Sequence, residues 1–410
     1  MIIHSLLNQS GGEFFCRKDM IIDMPVNTRK NFMPLILIVI LSLFSFWWLL
    51  HDGLAWYDFP GQWKFGAYTF RGIDIYTLRG SNNFLPEIGE VGTGFHAIPW
   101  GLVMQNILYG GFLPYDLAVK YFIAVNVLLL LLSSYMLYRK VYALSKDLGT
   151  YALIMSVLSV DFLIGLHAGN AGAAVCALMV TAWTLRDDHE YIAGICAGIA
   201  MIKPQIALIV CFAFLLHKNF KPLFTAAAVD IAGWFASALI LKKGVVELLY
   251  EFFSASERRT GFYRGIFHLA FENYATAIAL SMAAGIVFVI VMYMCLPEDT
   301  PSLFKAYPAC VAVTFWCYSY STDCYILIIP AVICIWLMLQ SHSRPKSVFW
   351  FLSAVYCTNA VSTWSRLHKV LVRFCGTTWF FSRTIYEIGL IVLSVIICLK
   401  IRSIYSEAQS

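Results

Sequence analysis

The stretch HAIPWGLVMQNILYGGF, His96 to Phe112, is apolar enough to enter a membrane but too interrupted to cross one cleanly. A spanning helix needs about 20 predominantly apolar residues. This stretch is shorter and carries Pro99, Gln105, Asn106 and the Gly110-Gly111 pair. If it crossed, the long run 117–138 would end outside and strand Arg139, Lys140 and Lys146 there, against the preference of short basic loops for the inside. Read as a helix lying at the outer interface, it makes 117–138 the second span, running inward. That choice fixes the rest of the topology.

Composition sets the class. Of the 410 residues, 60% are hydrophobic, 13% charged and 16% aromatic, whereas a soluble domain carries about 45–50% apolar and about 25% charged residues. The expected architecture is all-α: a polytopic bundle of about 12 transmembrane helices with interfacial helices in its first outer loop. The first span is PLILIVILSLFSFWWLL, Pro34 to Leu50, preceded by Arg17, Lys18, Arg29 and Lys30, so residues 1–33 read as a cytoplasmic tail in which Met24 is an alternative start. Later spans fall at about 149–166, 170–185, 191–203, 205–217, 222–241, 274–296, 304–320, 324–340, 347–362 and 381–400. Residues 34–402 form one membrane domain, with a first outer loop at 52–116 and a cytoplasmic tail at 403–410. The runs 191–203 and 205–217 are short for spans. Lys218, Lys221 and the central Lys203-Pro204-Gln205 favour a hairpin with its tip outside. The basic residues split almost evenly between the two faces, the outer ones lying in longer loops. Most of the twelve cysteines sit singly inside apolar runs and read as small buried side chains. No charge run suggests nucleic-acid binding.

The segment AWYDFPGQWKFGAYTFRGIDIY, Ala55 to Tyr76, follows the first span. Phe59, Trp63, Ala67 and Phe70 recur at helical spacing, with Lys64, Tyr68 and Arg71 opposite, which predicts an amphipathic helix flat on the membrane. Asp58 has two readings of equal weight: the cap of that helix, with Pro60 in the first turn, or a catalytic base at the membrane surface.

The order YDF, amphipathic segment, RGIDIY and HAIPWGLVMQNILYGGFLP resembles the first extracytoplasmic loop of glycosyltransferase family 87. A second stretch, GLHAGNAGAAVCALMVTAWTLRDDHEYIAGICAGIAMIKPQIALIV, is similar to that family's outer turn, polar inner turn and Lys-Pro-Gln hairpin. The family contains polyprenyl-phosphate-mannose-dependent α-1,2-mannosyltransferases of the GT-C superfamily. The resemblance implies that Asp58 is the catalytic aspartate and Lys203 the lysine of the Lys-Pro turn. Two departures stand out. The family's Gly-Gln-x-Asn is here Gly169-Asn170-Ala171-Gly172, and its Ser-Pro proline is absent from Tyr318 to Ala331.

A lipid-linked sugar phosphate leaves as a stable anion, so the chemistry needs a base for the acceptor hydroxyl and cations for the phosphate. Asp58 among Trp56 and Tyr57 suits the base. Lys203 at the hairpin tip suits the phosphate, since a cation at membrane depth costs about 2.5–3.5 kcal/mol; snorkelling to the interface is the plainer alternative. Arg258, Arg259 and Arg264 are further phosphate candidates, with a solvated surface cluster as the simpler reading. His167, Asn170 and Asp323 are candidates for sugar or acceptor, against a satisfied turn histidine and a helix cap. Gly194 and Gly198 in GICAG predict close helix packing. No Asp-x-Asp metal pair appears in the outer loops, so metal-independent activity without a cofactor is expected.

The expected activity is transfer of a hexose, mannose by resemblance, from a polyprenyl phosphate to a glycan or glycolipid on the outer face of a bacterial plasma membrane. Partners are then the lipid-linked donor, the acceptor and membrane lipid. The rivals are a lipid-linked oligosaccharide polymerase or ligase and a secondary transporter or flippase; the short paired helices around Lys203 are the best argument for transport.

Overall fold

The computed structural model describes residues 58–78, 84–90, 98–256, 273–316, 321–358 and 379–409, with isolated positions 36, 40, 267, 372 and 373. The first span and the N-terminal tail therefore lie outside the described residues, apart from positions 36 and 40. Among the described residues every regular element is helical.

In chain order the α-helices are α1 (Phe59–Thr69), α2 (Ile75–Leu78), α3 (Leu102–Leu108), α4 (Tyr115–Tyr142), α5 (Lys146–Val157), α6 (Val160–Ala168), α7 (Gly172–Leu185) and α8 (Glu190–Ala200). They continue as α9 (Pro204–Leu216), α10 (Phe220–Leu241), α11 (Val245–Ser256), α12 (Tyr274–Cys295), α13 (Tyr307–Trp316), α14 (Ile328–Leu339), α15 (Arg344–Thr358) and α16 (Trp379–Gln409). Short 3₁₀ segments, Phe304–Ala306 and Ser321–Leu327, precede α13 and α14.

Among the described residues five stretches are long and apolar enough to cross a membrane: Tyr115–Tyr142, Lys146–Ala168, Phe220–Leu241, Thr276–Cys295 and Thr384–Glu407. The other apolar helices of the bundle core are shorter, so length alone does not yield the twelve crossings expected from hydropathy. The Lys-Pro-Gln turn does split its region into two short helices, α8 and α9, because Pro204 occupies the first turn of α9 with Lys203 at its N-cap.

At the centre is α7, whose residues are all buried. Its Gly, Ala and Cys positions let α4, α6, α8 and α9 approach it, while the outer helices α4, α10 and α12 expose Leu128, Phe224, Phe235, Leu239, Val287 and Met294. Large apolar side chains on an outer face are costly in water and suited to lipid. Close packing of GICAG is present as expected. A Cβ on Gly194 would lie 2.4 Å from Thr225 Cβ, and one on Gly198 would lie 2.6 Å from Val229 Cβ, so α8 and α10 touch nearly backbone to side chain.

The expected surface helix differs in one respect. Residues 59–69 are helical, but Tyr68, placed on the polar face by periodicity, is fully buried. Its hydroxyl donates to the Gly89 carbonyl at 3.1 Å and accepts the Leu85 N–H at 2.9 Å, so segment 84–90 folds over it. The helix is pinned rather than floating. The Phe59 ring packs on Phe122 at 5.2 Å and Tyr115 at 5.7 Å, and the Trp63 indole N–H donates to Leu113 O at 3.0 Å.

Candidate functional site

Where α6 stops, the site begins. Ser159 caps that helix, its hydroxyl accepting the Phe162 N–H, and Gly169 closes it in the left-handed region at φ 67°. A Cβ there would lie 2.5 Å from Phe59 Cβ and 2.9 Å from Phe59 N, so only glycine permits both the backbone conformation and the approach of α1. The Asp58 N–H donates to Ala168 O at 3.0 Å across this contact. Residues far apart in sequence, Asp58 and Asn170, are thereby brought together.

Asp58 occupies the N-cap position of α1, yet its side chain makes no capping hydrogen bond. Asp58 is thus the N-cap by position, with Pro60 in the first turn as expected, but does not cap through its side chain. Its Oδ2 instead accepts an N–H of the Asn170 amide at 2.5 Å. Asn170 Oδ1 accepts the Lys203 ammonium at 2.5 Å and the Gly172 N–H at 2.8 Å. Lys203 also donates to Asp323 Oδ1 at 2.7 Å. The four side chains form one continuous chain: Asp58, Asn170, Lys203, Asp323. Because the ammonium and the peptide N–H can only donate, Asn170 must turn its oxygen toward them and its NH₂ toward Asp58.

Each member has its own support. Lys203 sits at the start of α9, where the indole of Trp100 donates to Met201 O at 3.3 Å and braces the turn. Asp323 lies in the 3₁₀ segment before α14, whose Tyr325 hydroxyl bonds Ser156 Oγ at 2.6 Å and Ser133 Oγ at 3.0 Å. The Cys176 thiol, on α7, donates to Asp323 O at 3.2 Å. The Lys203 and Asp323 side chains are 16% and 1% exposed, so their ion pair is shielded from solvent.

Burial pushes the Asp58 carboxyl above its usual range, and the Asp323 charge adds to this; the Asn170 hydrogen bond and the Lys203 charge partly offset it. Among the described residues Asp58 Oδ1 takes no protein hydrogen bond and is not sealed from solvent. The arrangement provides a carboxylate of raised basicity with one oxygen held and the other open.

The structure therefore joins four of the residues picked from the sequence, Asp58, Asn170, Lys203 and Asp323, and gives Asp323 an ammonium partner. His167 stands on the last turn of α6, partly exposed. Arg258, Arg259 and Arg264 lie outside the described residues. Three nearby groups escaped sequence reasoning. Tyr109 is buried against Phe59 and Phe122, and burial followed by the Asp58 charge raises its phenol well above the usual value, which keeps it neutral. Gln62 and Gln105 form a side-chain hydrogen bond between α1 and α3. Only the spacing of Gln62, four residues after Asp58, could have flagged it.

Residues 105–319, a little over half of the chain, match the family model of glycosyltransferase family 87. The match contains Asn170 and Lys203, while Asp58 and Asp323 lie outside it. No curated protein and no solved structure matches the chain.

Proposed function

Because the chain belongs to glycosyltransferase family 87 and is a membrane glycosyltransferase, with a sugar donor and a glycan acceptor, we propose that Asp58 is the general base of an inverting hexosyl transfer from a polyprenyl phosphate. The observation that carries this reading is the open oxygen of Asp58 on a carboxylate that spends its other oxygen on Asn170 rather than on its own helix. In the step proposed, Asp58 removes the proton of an acceptor hydroxyl. The acceptor oxygen attacks the anomeric carbon, the bond from that carbon to the phosphate oxygen breaks, and polyprenyl phosphate leaves. One displacement with one base turns a β-linked donor into an α-linked product, as in other inverting sugar chemistry. Mannose is the hexose suggested by the resemblance.

Charge balance supports a division of labour. With Asp58 ionised, the described site holds two carboxylates against one ammonium. That excess negative charge repels a phosphate, so donor binding calls for cations beyond Lys203, and the loop bearing Arg258, Arg259 and Arg264 supplies the sequence candidates. Lys203 then serves two masters, holding Asn170 toward Asp58 and facing the leaving phosphate. The same reading places α1 to α3 at the outer membrane interface, with about twelve crossings in all and the site facing outward. His167 and Asp323 remain candidates near the acceptor, Asp323 acting through Lys203.

The test is transfer by purified wild-type and Asp58→Asn protein with a polyprenyl-phosphate-mannose donor and a panel of mannoside acceptors, with donor binding measured separately. Donor binding should survive the substitution while transfer falls by about two or more orders of magnitude. Equal transfer by the two proteins would remove Asp58 from the chemistry.

A further inference from the structure

Helices α1 and α3 meet through apolar side chains, with Phe59, Trp63 and Leu102 buried in the shared core. Amid this packing two amides face one another, Gln62 on α1 and Gln105 on α3, joined side chain to side chain. Gln62 follows Asp58 by one helical turn. Its backbone N–H donates to the Asp58 carbonyl at 3.1 Å, and Asp58 itself has helical backbone angles. Side chains four residues apart on a helix share a face, with about 5–6 Å between their Cβ atoms. Gln62 and Asp58 therefore leave α1 in the same direction, a separation that a single pyranose ring can bridge.

The pair is not closed on itself. Two carboxamides offer four N–H donors and two carbonyl oxygens, and their mutual bond uses one of each. Among the described residues the remaining polar atoms of Gln62 and Gln105 take no other hydrogen bond, and none of them is sealed from solvent. This holds although Gln105 as a whole is only 5% exposed. Its neighbour Asn106 shows the contrast: it is fully buried, and both of its side-chain polar atoms are enclosed. The glutamines instead keep donors and an acceptor that no described residue takes, with Gln62 on the face of α1 that Asp58 shares.

We propose that Gln62 and Gln105 form a hydroxyl-binding subsite for a hexopyranose ring, adjoining the base. This rests on the reading of Asp58 as part of the active site. Sugar hydroxyls donate and accept at once, and a carboxamide pair with both functions open matches two hydroxyls of one ring. A site built this way discriminates strongly, because an analogue lacking the hydroxyl leaves amides unpaired in a shielded setting. The ring is either the hexose in transit or the acceptor sugar whose hydroxyl Asp58 deprotonates. Both present the same chemistry.

Two measurements test it. The first is a cycle of kcat/KM for wild type, Gln62→Leu, Gln105→Leu and the double leucine variant, each with intact and singly deoxygenated donors and acceptors. The leucines keep α1 and α3 in apolar contact, so the double variant guards against loss of folding. Each variant should lose about tenfold to a hundredfold with the intact sugars. Each should also cease to distinguish one deoxy analogue from its parent. Loss of discrimination against deoxy donors places the hexose in transit there, and against deoxy acceptors the acceptor ring. A uniform loss across every sugar would overturn the subsite and make the pair a helix-to-helix clasp. The second measurement titrates Trp fluorescence with methyl hexopyranosides, which requires no turnover. Saturable binding in wild type that is lost in the variants supports the subsite even if polyprenyl-phosphate donors fail, in which case the donor assignment alone falls. No saturable binding in wild type would overturn the subsite.

Discussion

Helices α7 and α9 carry charged or polar groups at both ends, and the two ends are built differently. At one end Asn170 precedes α7 and Lys203 precedes α9. At the other, Arg186 follows α7 and His217 follows α9. The Arg186 guanidinium lies 3.8 Å from the centroid of the Trp183 ring, and its Nε donates to the adjacent Asp187 at 3.1 Å. Trp183 in turn stacks on Phe214 at 5.2 Å and meets His217 edge-on at 5.3 Å. Asp187 is also held by Lys140 at 3.6 Å and by the Ser302 hydroxyl at 3.1 Å. Charges at this end have several partners, some of them next in sequence. In the Asp58 chain each link spans 33 to 120 residues of sequence. The Arg186 end is a brace, whereas the Asp58 end is a relay built from long-range links.

Lys203→Met tests this difference most severely. It takes the ammonium away from the buried Asp323 carboxylate and leaves Asn170 Oδ1 held by the Gly172 N–H, so we expect a loss of about 3–5 kcal/mol in stability and a transfer rate reduced about a hundredfold or more per folded molecule. Adding Asp323→Leu should restore most of the stability, because an apolar pair can replace a buried ion pair at little cost. It should restore none of the activity. Arg186→Met leaves Asp187 with Lys140 and Ser302, so a smaller loss, about 1–2 kcal/mol, is expected, with turnover per folded molecule unchanged. Denaturant titration in detergent alongside the transfer assay reads all four proteins. If Arg186→Met abolished turnover in the folded fraction, the two ends would not be separable.

Gly169→Ala probes the junction that sets the relay's register. The added methyl must intrude on Phe59 while the backbone stays at positive φ, a conformation costing a non-glycine residue about 1–3 kcal/mol. Because the same contact aligns Asp58 with Asn170, activity should fall further than stability, by about tenfold to a hundredfold. A variant equally stable and equally active would show that the approach of α1 to this turn is not what positions the base.

Much of this architecture could be read in advance, and the failures have identifiable causes. Hydropathy located the helices because apolar runs and charged breaks alternate, and Pro204 ended one short helix where the next began. Asp58, Asn170, Lys203 and Asp323 each stood out alone as polar residues beside apolar runs. Their joining into one chain was illegible, since each bond depends on how distant helices pack. Helical periodicity misplaces Tyr68 because it treats its hydroxyl as an outward group, while the structure satisfies it on the Gly89 carbonyl and the Leu85 N–H. In sequence Gln105 reads as an interruption of an apolar run, although it faces Gln62 from the neighbouring helix.

The smallest expected effect is a displacement along the pH axis, and its sign is the informative part. As the proposed base, Asp58 must be ionised to accept a proton, so on that reading the acid limb of kcat/KM follows its pKa in the free enzyme. Burial places that limb above the range of an ordinary aspartate. The Asp323 charge pushes it in the same direction, while Lys203 and Asn170 push it down. Asp323→Asn removes one raising influence and leaves the ammonium to act on Asp58 without its nearest counter-ion. The acid limb should therefore move to lower pH, and the enzyme should retain activity into more acidic solution than wild type. A Lys203→Met protein with measurable residual activity should shift the opposite way. Opposite shifts from the two halves of one ion pair are hard to produce by a general loss of packing, which would move both variants alike. If Asp323→Asn left the limb in place or moved it upward, Asp323 would support the fold around Lys203 without tuning the base.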